Sequence, residues 1–162
     1  MKKHVYLGGF IEGLRWSEAF GWREEAEIFL GDTGIEVYNP VVHVPKSFRK
    51  NNEVVTFDSV IEAIGPDGEV FPGSIKEQIF NQSLFHLKNA NICLFNLKHF
   101  KNTPCHSNSI GTIWELGVGF ILSKCIIAFD IYPQLESDPF IQHSIDLKYD
   151  SLEEALDYIV RL

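Results

Sequence analysis

The stretch Ser109-Ile110-Gly111-Thr112-Ile113-Trp114-Glu115-Leu116-Gly117 holds the sharpest candidate for chemistry. Gly111 and Thr112 mark a junction from loop to helix, which sets Glu115 within the first turn or so of that helix. There the unpaired N–H groups and the positive end of the dipole favour an ionised carboxylate by about 0.3–1 kcal/mol. Such a carboxylate beside a crevice can serve as a nucleophile or as an electrostatic stabiliser. Acidic residues also populate first turns for the dipole reason alone, with no chemistry attached. Upstream, His99, Cys105 and His106 raise the question of a metal. Adjacent Cys and His cannot easily close on one tetrahedral ion, and no second pair at ligand spacing accompanies them. Gly8-Gly9 with Gly13 has the wrong spacing for a dinucleotide fingerprint. The sequence implies no metal and no cofactor.

The elements that must position Glu115 alternate between strand and helix. Val5-Tyr6-Leu7, ended by Gly8-Gly9, reads as a buried first strand. From Ser17, a plausible N-cap, Ala19, Trp22, Ala26, Phe29 and Leu30 share a helical face, and Gly31 is a plausible stop. Arg15 and Arg23 read as helix-end and surface residues. Ile35-Glu36-Val37-Tyr38 is a second strand halted by Asn39-Pro40. Ser74-Ile75-Lys76-Glu77 is a capping box opening a helix with Ile75, Ile79, Phe80, Leu84 and Leu87 on its apolar stripe. Ile92 to Phe95 and Cys125 to Phe129 are apolar enough for parallel strands covered on both faces. A helix from Gly111 to about Leu122 separates them. A weak edge strand within 144–149 and a last helix follow, the helix capped by Ser151 and burying Leu152, Leu156, Ile159 and Val160. This order predicts a single α/β domain, a three-layer sandwich around a parallel sheet of about five strands. Ligands then bind outside the carboxyl ends of the strands, which directs attention to Gly9 and the loop to Arg15, to Asn39-Pro40, and to Asn96 through Glu115.

Residues 41 to 73 break the alternation and read as an insertion with a Gly65-Pro66-Asp67-Gly68 turn. Their many apolar side chains, Val55 and Phe57 among them, would cost several kcal/mol if left in water, at about 25 cal/mol per Å2. The expectation is that part of this segment is ordered and covers the crevice of its own or a neighbouring subunit. A hairpin that only buries an oligomer surface is the alternative.

Val5-Tyr6-Leu7-Gly8-Gly9, Trp22-Arg23, Gly34-Ile35-Glu36-Val37-Tyr38-Asn39-Pro40 and Gly111-Thr112-Ile113-Trp114-Glu115-Leu116-Gly117, in that order, resemble the nucleoside 2-deoxyribosyltransferase family. The resemblance spans most of the chain outside the insertion, and its last piece is the most specific. It implies a flavodoxin-like (Rossmann-like) fold, cleavage of an N-glycosidic bond, and a homo-oligomer in which a neighbouring subunit helps close the site. It also implies that Glu115 is the catalytic nucleophile and Tyr6 the tyrosine that holds it. On the residues alone, Tyr6 is equally a core tyrosine with a satisfied hydroxyl.

Two positions depart from the family pattern. Where the family usually carries an aspartate on the helix before the third strand, this chain has Ser83. Where it usually carries one six residues before the glutamate, this chain has Ser109. A serine can donate a hydrogen bond but is no general acid near neutral pH. In the related 2′-deoxynucleoside 5′-phosphate N-hydrolases a serine at the latter place contacts the phosphate. That branch also uses a serine and an arginine after the first strand, where this chain has Phe10 and Glu12, so Arg15 or Arg23 would have to offset Glu12. The expected substrate-binding set is Gly9, Arg15, Ser83, Asn96, Ser109 and Gly111. Three readings stay open: an enzyme acting on (deoxy)nucleosides, a hydrolase of their 5′-monophosphates, and a non-catalytic binding module on the same fold.

Composition bounds the partners. With 14 Lys and Arg against 22 Asp and Glu, the net charge is −8, and no basic run survives. Counterion-driven binding to a nucleic-acid polymer has no footprint. Three cysteines without CxxC spacing, no signal-peptide pattern and no apolar run near membrane length give a cytoplasmic expectation with no membrane partner.

Overall fold

The computed structural model describes residues 2–11, 13–40, 55, 75–98 and 110–162. Its strands are β1 (His4–Gly9), β2 (Glu36–Tyr38), β3 (Ile92–Asn96), β4 (Cys125–Phe129) and β5 (Leu147–Tyr149). Between them lie the helices α1 (Trp16–Ala19), α2 (Gly21–Asp32), α3 (Ile75–Asn89), α4 (Ile110–Ile121), α5 (Pro133–Glu136), α6 (Pro139–Ser144) and α7 (Leu152–Arg161). All described strand pairs are parallel, in the order β2-β1-β3-β4-β5. This is the flavodoxin-like order, and its switch point falls between β1 and β3. The α/β three-layer expectation holds.

Alternation along the strands divides the core. Tyr6, Cys93, Phe95 and Ala128 pack on one face with Leu87 of α3 and Leu116 of α4. Val5, Leu7, Leu94, Ile127 and Phe129 pack on the other with Ala26 and Leu30 of α2 and Ala155, Leu156 and Ile159 of α7. Every residue of β3 is buried, which is why its sequence carries almost no polar interruption. Ser151 caps α7 as expected, its Oγ accepting from the Glu154 N–H at 3.3 Å.

Several local expectations are corrected. The first helical stretch is two helices joined at Phe20, and the first opens after Arg15 rather than at Ser17. The Arg15 N–H donates to Glu18 Oε2 at 2.8 Å, and Phe20 stacks on Trp16 with ring centroids 3.7 Å apart. Gly34, not Gly31, stops α2. It sits at φ 79°, its N–H donates to the Gly31 carbonyl, and the Ile35 N–H donates to the Leu30 carbonyl. That pair of bonds is the Schellman closure, whose left-handed position suits glycine. β1 runs through Gly8-Gly9 instead of ending before them. Phe29, Phe80 and Val160 are exposed rather than facing the core. The short helices α5 and α6, each opened by a proline, were not anticipated; the Asp138 carboxylate caps α6 by accepting from the Phe140 and Ile141 N–H groups.

Of the insertion, Val55 alone is described. It is buried in the Tyr6 face of the core, accepts from the Gly13 N–H at 2.9 Å and donates to the Leu14 carbonyl at 2.7 Å. The hairpin, the lid and the Ser74 cap lie outside the described residues.

Candidate active site

The site forms at the carboxyl end of β1, where it borders β3. Tyr6 sits in the middle of β1, paired with Tyr38 of β2 and Cys93 of β3, and is fully buried. Strand alternation aims its ring at α3 and α4. On α4, Thr112, Leu116 and Gly119 form the buried side, and Glu115 beside them is half-buried. The Tyr6 hydroxyl donates to Glu115 Oε1 at 2.7 Å, a distance typical of a charge-assisted O–H···O⁻ bond.

Glu115 is the sixth residue of α4 and lies past its first turn. The expectation that the helix N-terminus keeps it ionised therefore fails, since the dipole acts within the first turn. Burial dominates instead and pushes the Glu115 carboxyl up from 4.5 to about 7. The Tyr6 hydroxyl, the Arg23 guanidinium and the Ser83 hydroxyl each pull it back. A buried carboxyl perturbed by specific partners in this way is a functional-site candidate. Burial and the Glu115 charge together push the Tyr6 phenol well above its usual value, so it stays a donor.

Ser83, on α3, is buried beside Glu115 and Tyr6, where its hydroxyl lowers the proton affinity of both groups. Tyr38 stacks on Tyr6 at 5.7 Å between centroids and on His86 at 3.2 Å. These rings wall the site on the β2 side, and burial raises the Tyr38 phenol to about 12.

The remaining expected residues divide. Gly9 and Asn96 are register partners at the ends of β1 and β3. Gly9 takes φ 151°, and a Cβ there would meet the Asn96 carbonyl at 2.9 Å, so only glycine fits. Asn96 is buried, and its Oδ1 accepts from the Lys98 N–H at 3.0 Å, fixing the chain as it leaves the sheet. Gly111 is exposed on the same helical face as Glu115, one turn earlier. Arg15 is exposed, and among the described residues no contact ties it to Glu115. Ser109, Glu12, His99, Cys105 and His106 lie outside the described residues.

Arg23 is the residue the sequence reading misplaced. Read as a surface residue, it is wholly buried. The spacing Ala19, Arg23, Ala26, Leu30, in steps of four, three and four, puts it on the buried stripe of its helix. Its Nη2 donates to the Gly9 carbonyl at 2.8 Å and its Nη1 to the Ala19 carbonyl. Among the described residues no group of three or more His, Cys, Asp or Glu could hold a metal, and no helix is long and apolar enough to cross a membrane.

No protein-family model matches the chain, and neither does any curated protein. Solved structures do. A 2-deoxyribosyltransferase from Bacillus psychrosaccharolyticus is 23% identical with a TM-score of 0.59, covering 96% of this chain and 91% of its own. A CMP N-glycosidase from Clostridium botulinum is 14% identical at TM-score 0.52, with 97% of each chain covered. A 2-deoxyribosyltransferase from Leishmania mexicana is 14% identical at 0.58, covering 98% of this chain and 97% of that one. From end to end, this chain has the fold on which those two transferases and that glycosidase are built.

Proposed function

We propose that this chain is an enzyme of the nucleoside 2-deoxyribosyltransferase family that cleaves or exchanges the N-glycosidic bond of a (deoxy)nucleoside. The observation that carries this reading is the 2.7 Å bond from Tyr6 to Glu115 at the switch point of the sheet. Shared fold with enzymes of that chemistry supports it. In the first step a Glu115 oxygen attacks C1′ as the C–N bond breaks. The bonding pair leaves on the base nitrogen, which takes a proton from water. Positive charge building on the sugar is captured as a glycosyl ester. In the second step water or the N–H nitrogen of another base attacks C1′, its proton neutralises the hydroxide left by the first step, and the Glu115 carboxylate departs. Tyr6 and Ser83 hold the carboxylate so that its other oxygen faces the sugar. Gly9, Asn96 and Gly111 shape the crevice, and Arg15 and Ser109 complete the proposed substrate-binding set. A homo-oligomer in the cytoplasm belongs to the same proposal.

A second reading is favoured by the CMP N-glycosidase among the structural neighbours. In it the substrate is a nucleoside 5′-monophosphate and water is the acceptor. One screen separates the readings: base release from deoxynucleosides, ribonucleosides and their 5′-monophosphates, each with and without a second free base. Exchange products identify a transferase, and release restricted to monophosphates identifies the hydrolase. Ligand binding without release from any of them leaves the binding module, and full activity in Glu115→Ala removes Glu115 as the nucleophile.

A further inference from the structure

Burying an ion is costly unless it is paired, and an arginine cannot shed its charge near neutrality. Arg23 is nonetheless wholly buried at the end of β1. It is held by two backbone carbonyls, Gly9 and Ala19, and its guanidinium carbon lies 4.4 Å from the Trp22 ring centroid. Among the described residues its Nε has no hydrogen-bond partner, and no carboxylate there comes within ion-pair distance. The close approach depends on Gly9, where a Cβ would stand 3.2 Å from Nη2.

An unpaired buried cation needs a counter-charge nearby. Around Glu115 stand Tyr6 and Tyr38 of β1 and β2, Ser83 of α3 with His86 behind Tyr38, Cys93 of β3, and Arg23 of α2. Arg23 is the one permanent positive charge in that described set. Its helix α2 packs through Ala26 and Leu30 on the sheet face opposite Leu116 of α4, and its guanidinium reaches the Gly9 carbonyl at the end of β1.

We infer that Arg23 is a positioning residue, a buried cation that ties down the Gly9 end of β1 and supplies the counter-charge to the Glu115 carboxylate across it. It is too deeply buried to touch substrate. The catalytic part of this inference rests on Glu115 being the nucleophile. When Glu115 becomes a neutral ester, Arg23 loses its counter-charge. Its field therefore favours the step in which the carboxylate leaves C1′ and keeps the glycosyl ester short-lived.

The test compares wild type, Arg23→Lys, Arg23→Met, Glu115→Gln and Arg23→Met/Glu115→Gln. Two measurements need no turnover: the carboxyl ¹³C titration of Glu115 and urea unfolding at pH 8. Expected in Arg23→Met is a Glu115 midpoint raised by about one unit, roughly a tenfold gain in proton affinity. Arg23→Lys is expected to shift it by less than half as much. The stability lost in Arg23→Met should shrink when Glu115 is already Gln, the signature of coupling. An unmoved midpoint in Arg23→Met, or strictly additive losses, overturns the inference. If Arg23→Met alone does not fold, folding of the double variant supports it and failure of both refutes it. A wild type inert on every nucleoside and nucleotide would sink the proposed activity, while the titration would still judge Arg23.

Discussion

Replacing Glu115 by Gln should make the protein more stable, by a margin that opens above about pH 4.5 and levels off above about 7. Glutamine keeps an Oε1 that can accept from Tyr6 and Ser83, but it never ionises. In wild type, burial lifts the carboxyl from 4.5 to about 7. The folded chain thus binds this proton more tightly than the unfolded chain. Its stabilising contribution is fully present below about pH 4.5 and is lost as pH rises through about 7. At about 1.4 kcal/mol per unit, that interval comes to roughly 3 kcal/mol. Glu115→Gln should therefore match wild type near pH 4.5 and exceed it by roughly 3 kcal/mol at pH 8. For a chain of this size that is roughly 6 to 12 °C in melting temperature. Urea unfolding of both proteins from pH 4.5 to 9 measures it. A constant offset at every pH, or a wild type that gains on the variant as pH rises, would show that the carboxyl is not held against ionisation. The reasoning about the nucleophile would fail with it.

Other outcomes follow from the same geometry. Base release by wild type should rise with pH through a limb near 7 as Glu115 ionises, visible in a kcat/KM profile; a limb near 4.5 would contradict it. Tyr6→Phe removes the 2.7 Å bond to an ionised group, worth roughly 1.5–3 kcal/mol. It should slow turnover roughly tenfold to a hundredfold and move that limb upward, as steady-state kinetics across pH would reveal. Gly9→Ala forces a Cβ against the Asn96 carbonyl at φ 151°, so thermal melts should show a loss of roughly 1–3 kcal/mol. Ser151→Ala removes the α7 cap for about 1 kcal/mol, leaving any activity unchanged.

The frame was legible because its signals are local. The unbroken apolar runs at Ile92 and Cys125 could only be covered strands, and Ser151 announced its helix through the spacing of its cap. Glu115 and Tyr6 were found through the order of their motifs, and the structure brings them together. What was missed depends on contacts distant in sequence. Arg23 looked like a surface residue because a charge is ordinarily solvated, and nothing nearby in sequence reveals that the Gly9 carbonyl waits for it. The reason for Glu115 being held was likewise misread, because the helix begins at Ile110 and burial, not the dipole, governs its proton. Ser83 looked like a lost acid; its place beside Tyr6 and Glu115, whose proton affinities it lowers, comes only from docking α3 against the sheet.

The bond between Tyr6 and Glu115 joins two elements of unequal resilience. Tyr6 belongs to β1, hydrogen-bonded on both sides, and amides in such a strand exchange with solvent only when the whole domain opens. Glu115 rides on a helix held to the sheet by side-chain packing along one face. An axial slide of that helix by two residues is about 3 Å, enough to carry a 2.7 Å contact beyond hydrogen-bonding range even when the slide runs perpendicular to the bond. The nucleophile can therefore be disarmed by a displacement that leaves every strand paired. Its alignment reports on the seating of one helix, well before it reports on the integrity of the fold.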